Sequence, residues 1–369
     1  MTVIIFVIVL AVLIFVHELG HFLFAKLNGI RVDEFKLGFG PRIVYWSWGE
    51  TEYGVNIIPF GGFVKIHGEN PDEESIDGPD KSRSFVNKNR FRQITVLVAG
   101  VLFNFLFAWI LYVGVLSSGV TATTDGFEQY AHDFKNERIM ITYVEPGSPA
   151  EKSGLQLGDV IRSVSTTTDA TAAIPLSVQS IQNTIDLSGG TPVTISYSRG
   201  PVAGTVSLTA TTTLISGRYA IGIAMDNVGD LQLPLGSALI EGWRYTGLMI
   251  SQTVTGLYAF VGNIFHGTAN FADVAGPVGI AGIVGNAAQL GFTYLVMITA
   301  LISINLGVIN LVPFPALDGG RVLFVLVEGL IRHRIPPTFT NTVNAVGFVI
   351  LMVLMVLVTY KDVIKLINP

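Results

Sequence analysis

The amino-acid sequence predicts a polytopic α-helical membrane protein with four transmembrane helices, a membrane-associated β-hairpin loop on the cytoplasmic side and an inserted extracytoplasmic α+β domain. Of its 369 residues, 50% are hydrophobic and 13% are charged, about half of the charged share of roughly 25% found in soluble domains. Four apolar segments reach the length of about 20 residues that a transmembrane helix requires. Strand-like and turn-like patterns between the second and the third segment indicate a folded domain outside the bilayer. The net charge of −5 gives no indication of a nucleic-acid partner.

The apolar segments and the basic residues near their ends predict the orientation in the membrane. The segments are residues 2–25, 94–117, 292–312 and 343–360. Lys and Arg residues concentrate between the first two segments, which places residues 26–93 in the cytoplasm under the positive-inside rule. Both termini and the inserted domain are then extracytoplasmic, and residues 313–342 are cytoplasmic. We therefore expect a multi-pass protein of the bacterial inner membrane.

This orientation divides the chain into four parts. They are a first membrane core (1–117), an extracytoplasmic domain (118–230), membrane-surface amphipathic helices (231–291) and a second membrane core (292–369). Within the third part, residues 245–265 are uncharged but carry several hydroxyl and amide side chains. We expect this stretch to lie in the membrane interface or to be partly buried, rather than to cross the bilayer.

The first apolar segment contains the motif His17-Glu18-Leu19-Gly20-His21. Ionisable groups in a membrane segment are costly and mark a functional site by default, and H-E-x-x-H on a helix is typical of zinc hydrolases. A chance motif is the first alternative, but it would leave three polar groups in lipid. A signal peptide is the second, but the segment has neither a basic start nor a small-residue cleavage site.

A catalytic zinc ion has three protein ligands as a rule, and depth in the membrane points to Asp318 as the third. The chain has no cysteine, so the ligands must be histidines and carboxylates. His17 lies about 24 Å along a helix that enters from outside, at about 1.5 Å per residue, which is the cytoplasmic half. The third segment runs in the same direction and brings Asp318 to its cytoplasmic end. Asp-Gly after Pro-x-Pro is also ordinary turn chemistry, but the shared depth favours a metal ligand.

These residues resemble the site-2 protease family of intramembrane zinc metalloproteases (peptidase family M50), and the match is closest to the bacterial branch of the regulator-of-sigma-E-protease type. The resemblance is carried by His17-Glu18-x-x-His21 and Asn310-x-x-Pro313-x-Pro315-x-Leu317-Asp318-Gly319. It implies a Zn²⁺ cofactor held by His17, His21 and Asp318, with Glu18 as the catalytic general base. It also implies that Asn310 and Pro313 contact the substrate.

Residues 53–66 predict a β-hairpin that turns at Pro59-Phe60-Gly61-Gly62, which has turn chemistry. A transmembrane substrate helix hides its peptide bonds in its own hydrogen bonds, so cleavage needs an extended segment. The family resemblance implies that the hairpin is membrane-associated and receives the substrate as an added strand. Its predicted substrate-binding residues are Gly61, Gly62, Phe63 and Val64. A purely structural hairpin is the alternative.

Residues 136–228 resemble a PDZ domain. A strand at residues 139–144 is followed by a short helix that begins at Ser148 or Pro149, and by Gly154-Leu155-Gln156-Leu157-Gly158-Asp159 before the next strand. Residues 191–198 and 205–211 supply further predicted strands. Ile221, Gly222 and Ile223 are expected to line a peptide groove.

The leading functional hypothesis is an intramembrane zinc metalloprotease that acts in regulated intramembrane proteolysis. Its partners are the lipid bilayer and single-span membrane proteins, of the anti-sigma-factor or signal-peptide-remnant type by family analogy. A non-catalytic PDZ-type scaffold that binds extracytoplasmic peptides is the alternative, but it leaves the H-E-x-x-H motif unexplained. A metal transporter would need polar groups along a path, and the second and fourth segments are nearly free of them.

Overall fold

The computed structural model describes residues 1–70, 73–124, 127–166, 177–215, 217–268 and 274–367. The chain divides into two compact units. The membrane unit comprises Met1–Val115 and Leu235–Pro369, and the inserted unit comprises Leu116–Pro234.

Long apolar helices dominate the membrane unit. The α-helices of the described residues are α1 (Thr2–Leu27), α2 (Glu73–Asp77), α3 (Arg90–Ser118), α4 (Pro149–Lys152), α5 (Val178–Leu187), α6 (Leu235–Phe265), α7 (Pro277–Leu290), α8 (Phe292–Asn310), α9 (Asp318–Ile331) and α10 (Pro337–Ile367). Of these, α1, α3, α6, α8 and α10 are long and apolar enough to cross a membrane. Four of them coincide with the predicted segments, and the fifth, α6, contains the stretch that we expected at the interface. The chain is therefore a membrane protein.

Helices α3 and α8 pack against each other in antiparallel directions. Ser303 Oγ donates a hydrogen bond of 2.8 Å to the backbone carbonyl of Asn104, and Tyr112, two turns further along α3, packs in one cluster with Ala300, earlier on α8. Helix α6 lies against both, since Trp109 Nε1 of α3 donates to the backbone carbonyl of Leu239 at 3.0 Å and Thr253 Oγ1 donates to Asn305 Oδ1 of α8 at 2.9 Å. The direction of α8 brings its C-terminal end, and the turn into α9, to the level of the middle of α3.

The two-stranded sheet of the membrane unit differs in part from the prediction. Its strands are β1 (Val32–Trp48) and β2 (Thr51–Ile66), which pair antiparallel, and Trp48 pairs with Thr51 across the turn at 49–50. Gly49 supplies the left-handed backbone of the turn between β1 and β2, with φ of +64°. The predicted reversal of chain direction at 59–62 is observed, because residues 52–55 run parallel to residues 34–37 whereas residues 62–65 run antiparallel to them. After this reversal, residues 62–66 pair with residues 32–37 on the side opposite to residues 52–55. The predicted pairing of the two arms with each other is wrong, since residues 34–37 lie between them.

The inserted unit is built on an antiparallel sheet whose spatial strand order differs from the order along the chain. Its strands are β3 (Val120–Thr123), β4 (Phe134–Val144), β5 (Val160–Thr166), β6 (Pro192–Arg199), β7 (Val202–Thr209), β8 (Thr211–Ile215), β9 (Arg218–Ala220) and β10 (Ile223–Leu231). Six of them form one sheet in the order β3-β10-β4-β5-β6-β7, and β8 pairs with β9. Side chains of this sheet and of α5, including Ile141, Ile181 and Ile195, form a buried core of the unit's own. The predicted helix start is observed, since Ser148 caps α4 by accepting the backbone N–H of Glu151.

Candidate metal centre

Three ligand atoms from two distant helices converge at one point of the membrane unit. His17 Nε2 and His21 Nε2 lie 3.1 and 3.2 Å from Asp318 Oδ2, and the two Nε2 atoms lie 3.3 Å apart. Both imidazoles are buried, at 7% exposure each. The three side chains therefore form a compact triangle of electron-rich atoms, shielded from solvent.

Local sequence explains why each ligand reaches this point. His17 and His21 are four residues apart on α1, so they share one helix face. Asp318 is the first residue of α9, immediately after a tight turn in which Ala316 has φ of +72°. A Cβ on Gly319 or Gly320 would lie 2.3 or 2.2 Å from a backbone oxygen of that turn. Only glycine fits there, so the Asp-Gly-Gly sequence packs α9 closely enough under the turn to aim Asp318 at α1.

The environment of His21 determines which of its nitrogens is free. Its Nδ1 lies 2.9 Å from the backbone carbonyl oxygen of Val96 on α3. A carbonyl oxygen only accepts hydrogen bonds, so Nδ1 carries the ring proton. Nε2 then presents a lone pair to the centre of the triangle, the arrangement that metal-binding histidines share.

His17 is held in the same way by Asn104. The Asn104 side-chain amide lies 3.1 Å from His17 Nδ1, and within the described residues Asn104 Oδ1 is buried without a hydrogen-bond partner. A half turn of the amide exchanges its oxygen and nitrogen, and Oδ1 then accepts the Nδ1 proton of His17. This pairing leaves His17 Nε2 unprotonated and satisfies the Asn104 oxygen.

The donor set fits a zinc ion. Two imidazole nitrogens and one carboxylate oxygen are ligands of catalytic zinc, with bonds of about 2.0–2.2 Å in tetrahedral geometry. Such a tetrahedron has edges of about 3.3–3.5 Å by this geometry, close to the observed 3.1–3.3 Å. Without a cation or extra protons, three buried lone pairs this close would repel one another. The three residues could therefore hold a zinc ion and leave a fourth position free.

Glycines allow α1 and α3 to approach closely enough to build the centre. A Cβ on Gly20 would lie 2.4 Å from the backbone oxygen of Ala99, and a Cβ on Gly100 would lie 2.3 Å from His21 Nε2. Any larger residue would push the helices apart or displace the imidazole. Gly100 thus makes room for the ligands themselves.

The metal centre opens into a cavity of about 490 Å³. Its lining includes Glu18, next to the two ligands on α1, and the β2 residues Phe63 and Val64. Gly62 lies just beside Glu18, since a Cβ on Gly62 would be 3.6 Å from Glu18 Cγ. The cavity thus combines a carboxylate, the metal ligands and one margin of the β1–β2 sheet.

The remaining residues predicted to bind substrate lie at different distances from the centre. Asn310 Nδ2 is 3.5 Å from His17 Nε2, which places the amide within reach of a group bound at the metal. Pro313 lies in the turn between α8 and α9, and Gly61 has φ of +110° on β2. Among the described residues that line the cavity, neither Gly61 nor Pro313 is present.

A second cavity, of about 430 Å³, lies within the inserted unit. Ile221, Gly222 and Ile223 line one wall, and Ile185 and Asp186 of α5 line the other. The groove therefore runs between α5 and the start of β10, where an extended peptide has room to lie.

Reasoning from the sequence missed several residues of the metal centre. Asn104 is the most polar residue of the second apolar segment, and an amide in an otherwise apolar segment was the available signal. Gly100 gave no signal beyond its position one turn before Asn104. Glu69 and Arg321 also line the cavity, and no motif in the sequence distinguishes them from surface charges.

Comparison with known proteins gives a consistent result. The model of peptidase family M50 matches residues 5–354, a range that includes the H-E-x-x-H motif and Asp318. A Clostridium perfringens protein named as a zinc metalloprotease is 38% identical over 95% of both chains. A Synechocystis protein with a similar name is 34% identical over 97% of this chain and 93% of its own. Zinc metalloprotease RasP of Shouchella clausii is 28% identical over 99% of each chain.

Proposed function

This chain belongs to peptidase family M50 and is a zinc metalloprotease, and we propose that it cleaves single-span membrane proteins within or next to their transmembrane segments. The observation that carries this proposal is the shared cavity of the metal centre and the β2 residues Phe63–Ile66. Two of the ligands, His17 and His21, lie in α1, a helix of membrane-spanning length and composition. A substrate that reaches them must come from the bilayer or from its surface.

We assign the metal ligands as His17, His21 and Asp318, and the general base as Glu18. Zinc, when bound, acts as a Lewis acid that polarises the scissile carbonyl and lowers the pKa of water. The Glu18 carboxylate takes a proton from the attacking water as the new C–O bond forms, and it delivers that proton to the amine as the C–N bond breaks. Asn310 donates an amide N–H to the substrate carbonyl oxygen or backbone, where negative charge develops.

The outer margin of residues 62–66 is the proposed binding site for an unwound substrate. On their other side these residues pair with residues 32–37, and no described strand pairs with the margin that faces the cavity. The edge strand of a sheet can offer backbone N–H and C=O groups to an extended peptide. Gly61, Gly62, Phe63 and Val64 would thus hold the substrate backbone in extended form beside the metal.

A proline scan of this edge tests the proposed strand addition. Backbone N–H groups of a strand alternate between its two sides. Single prolines at positions 63, 64 and 65 should therefore abolish cleavage where the lost N–H faces the cavity, with zinc content unchanged. Proline at Val44, on the opposite margin of the sheet, is the control. Full cleavage by all three variants would rule out strand addition.

The proposed topology has four membrane crossings. Because α3 and α8 are antiparallel, the chain between them must begin and end on the same side of the membrane. A crossing by α6 would then need a second crossing before α8, and α7, with 14 residues, is only about 21 Å long. That length is short of the hydrocarbon core of about 30 Å. We therefore propose that α6 packs beside α3 and α8 without a full crossing, and that residues 26–93 and 313–342 are cytoplasmic.

We further propose a bacterial inner-membrane location and a role in regulated intramembrane proteolysis. The substrates would be anti-sigma factors or signal-peptide remnants, which present one apolar segment and little folded mass in the membrane. The inserted unit, proposed to be a PDZ-like domain, would bind a peptide in the groove beside Ile221, Gly222 and Ile223. Peptide binding by this groove is the observation that would favour an additional scaffold role.

Glu18→Gln is the decisive variant for catalysis. The amide keeps the shape of the side chain but cannot accept the proton of water, so zinc binding should persist while cleavage of a single-span model substrate is lost. Removal of a general base costs about 10²–10⁴-fold in rate. Zinc content by atomic absorption and product formation by mass spectrometry measure the two effects. Undiminished cleavage would overturn the assignment, and a pure scaffold predicts no cleavage by either form.

A further inference from the structure

An ion pair lies inside the catalytic cavity and has no part in the proposed chemistry. Arg321 Nη1 donates a hydrogen bond to Glu69 Oε1, and both residues line the cavity of the metal centre. The Glu69 side chain is 15% exposed and the Arg321 side chain 33%. Removal of one partner from such a partly buried pair leaves the other charge uncompensated, which costs more than breaking a fully exposed pair.

The two residues belong to the two elements that must be aligned for cleavage. Arg321 is three residues after Asp318, so it lies on the same face of α9 as the metal ligand. Glu69 is three residues after Ile66, the last residue of β2. Its backbone N–H donates to the Ile66 carbonyl at 3.1 Å, which closes a tight turn directly after the strand.

The turn after β2 is stiff, so the ion pair can fix the position of the β2 edge relative to α9. Gly68 has φ of +74°, and a Cβ there would clash with the Ser84 hydroxyl. The backbone N–H of Phe85 also donates to the carbonyl of His67 at 2.8 Å. Glu69 is therefore held in a fixed relation to the end of β2, and its partner Arg321 in a fixed relation to Asp318.

We propose that Glu69 and Arg321 are positioning residues that set the register of the substrate strand against the metal. This inference rests on the proposed intramembrane protease and on strand addition at residues 62–66. The pair ties the substrate-bearing edge to the helix that carries the third ligand. It thereby determines which peptide bond of the bound strand lies opposite Glu18.

The expected defect follows from strand geometry. A strand advances about 3.3 Å per residue and its side chains alternate between faces. A slip by one residue would turn every substrate side chain to the wrong face, whereas a slip by two restores the pairing pattern. An edge that is no longer fixed should thus allow cleavage about two residues, or about 6.6 Å, from the normal bond.

The test maps cleavage positions in the full-length protein in detergent or lipid. The substrate is a single-span model protein that the wild type cleaves, made uniform in sequence around the cut so that neighbouring bonds are chemically alike. Glu69→Gln and Arg321→Gln should keep zinc, raise KM more than they lower kcat, and yield products displaced by two residues. Arg321→Lys keeps the charge with a looser contact and should cleave mainly at the normal bond, with a small share of displaced products.

The control is the ion pair of Arg90 and Glu328, at 2.7 Å, whose side chains are 32% and 14% exposed. Glu328 is also on α9, but neither residue is among the described residues that line the catalytic cavity. Glu328→Gln should leave the cleavage position unchanged, because its ion pair lies outside the cavity that residues 63–66 of β2 line. A defect common to both pairs would mark a general loosening of α9 and would overturn the proposal.

The outcomes separate this inference from the proposed function. If the wild-type protein cleaves no membrane substrate, the proposed function itself is overturned. Wild-type cleavage with an identical position and KM in Glu69→Gln and Arg321→Gln would overturn only the positioning role. If those two variants lose zinc, the products of Arg321→Lys test the positioning role instead. A small share of displaced products supports the proposal, and a product pattern identical to that of the wild type overturns it.

Discussion

At the scale of single residues, the ligands depend on partners that fix their ring protons. Val96 and Asn104, both on α3, contact the outer nitrogens of His21 and His17. These contacts decide whether each Nε2 offers a lone pair to the metal. The ability of His17 and His21 to bind a metal therefore depends on α3, a helix that contributes no ligand.

Asn104 allows a direct test of this dependence. Asn104→Leu removes the acceptor for the His17 Nδ1 proton, and loss of such a partner costs about 10–100-fold in metal affinity or activity. Asn104→Asp keeps an acceptor and should restore zinc affinity. Competition with a calibrated chelator measures both variants. Equal zinc affinity in Asn104→Leu and the wild type would show that His17 needs no such partner.

At the scale of elements, the centre requires α1 and α3 to be in near-contact at Gly100. Gly100→Ala should displace the imidazoles, because its Cβ would lie 2.3 Å from His21 Nε2 and 2.8 Å from His17 Cε1. We expect zinc to be lost while helix content by circular dichroism is unchanged.

The same helix offers the matched control. Gly114→Ala introduces an identical change on α3, where a Cβ would meet no atom within 4 Å. It should keep zinc and stabilise the helix by up to about 1 kcal/mol, the propensity difference between the two residues. Zinc loss in both variants would mean that helix flexibility, rather than the space at Gly100, controls binding.

The elements also show what sequence can predict. The H-E-x-x-H spacing and the depth of Asp318 were sufficient to bring the three ligands together, because helix geometry converts spacing into position. The β-loop was predicted only in part: the chain reverses direction near Gly61-Gly62, but the two arms do not pair with each other, because residues 34–37, distant in sequence, lie between them. The role of Asn104 depends on packing between helices, which neither spacing nor composition records.

At the scale of the whole molecule, the proposed zinc ion joins α1 to α9 in the membrane unit, while the inserted unit has a buried core of its own. A ligand that binds only the folded state stabilises it by about 2.7 kcal/mol at a concentration of 100 times its Kd. That stabilisation belongs to the unit that holds the ligand. Metal removal should therefore act on one unit and spare the other.

Hydrogen exchange of the intact protein, followed by peptide with mass spectrometry, measures this difference. A zinc chelator should speed exchange in peptides of α1 and α9, because three buried lone pairs then face one another without a cation. Peptides of β5 and β6 in the inserted unit should exchange as before. Asp318→Asn lacks the third ligand, so the chelator should change little in this variant. Faster exchange throughout both units would show that they unfold as one cooperative body, and no change in α1 would place the zinc elsewhere.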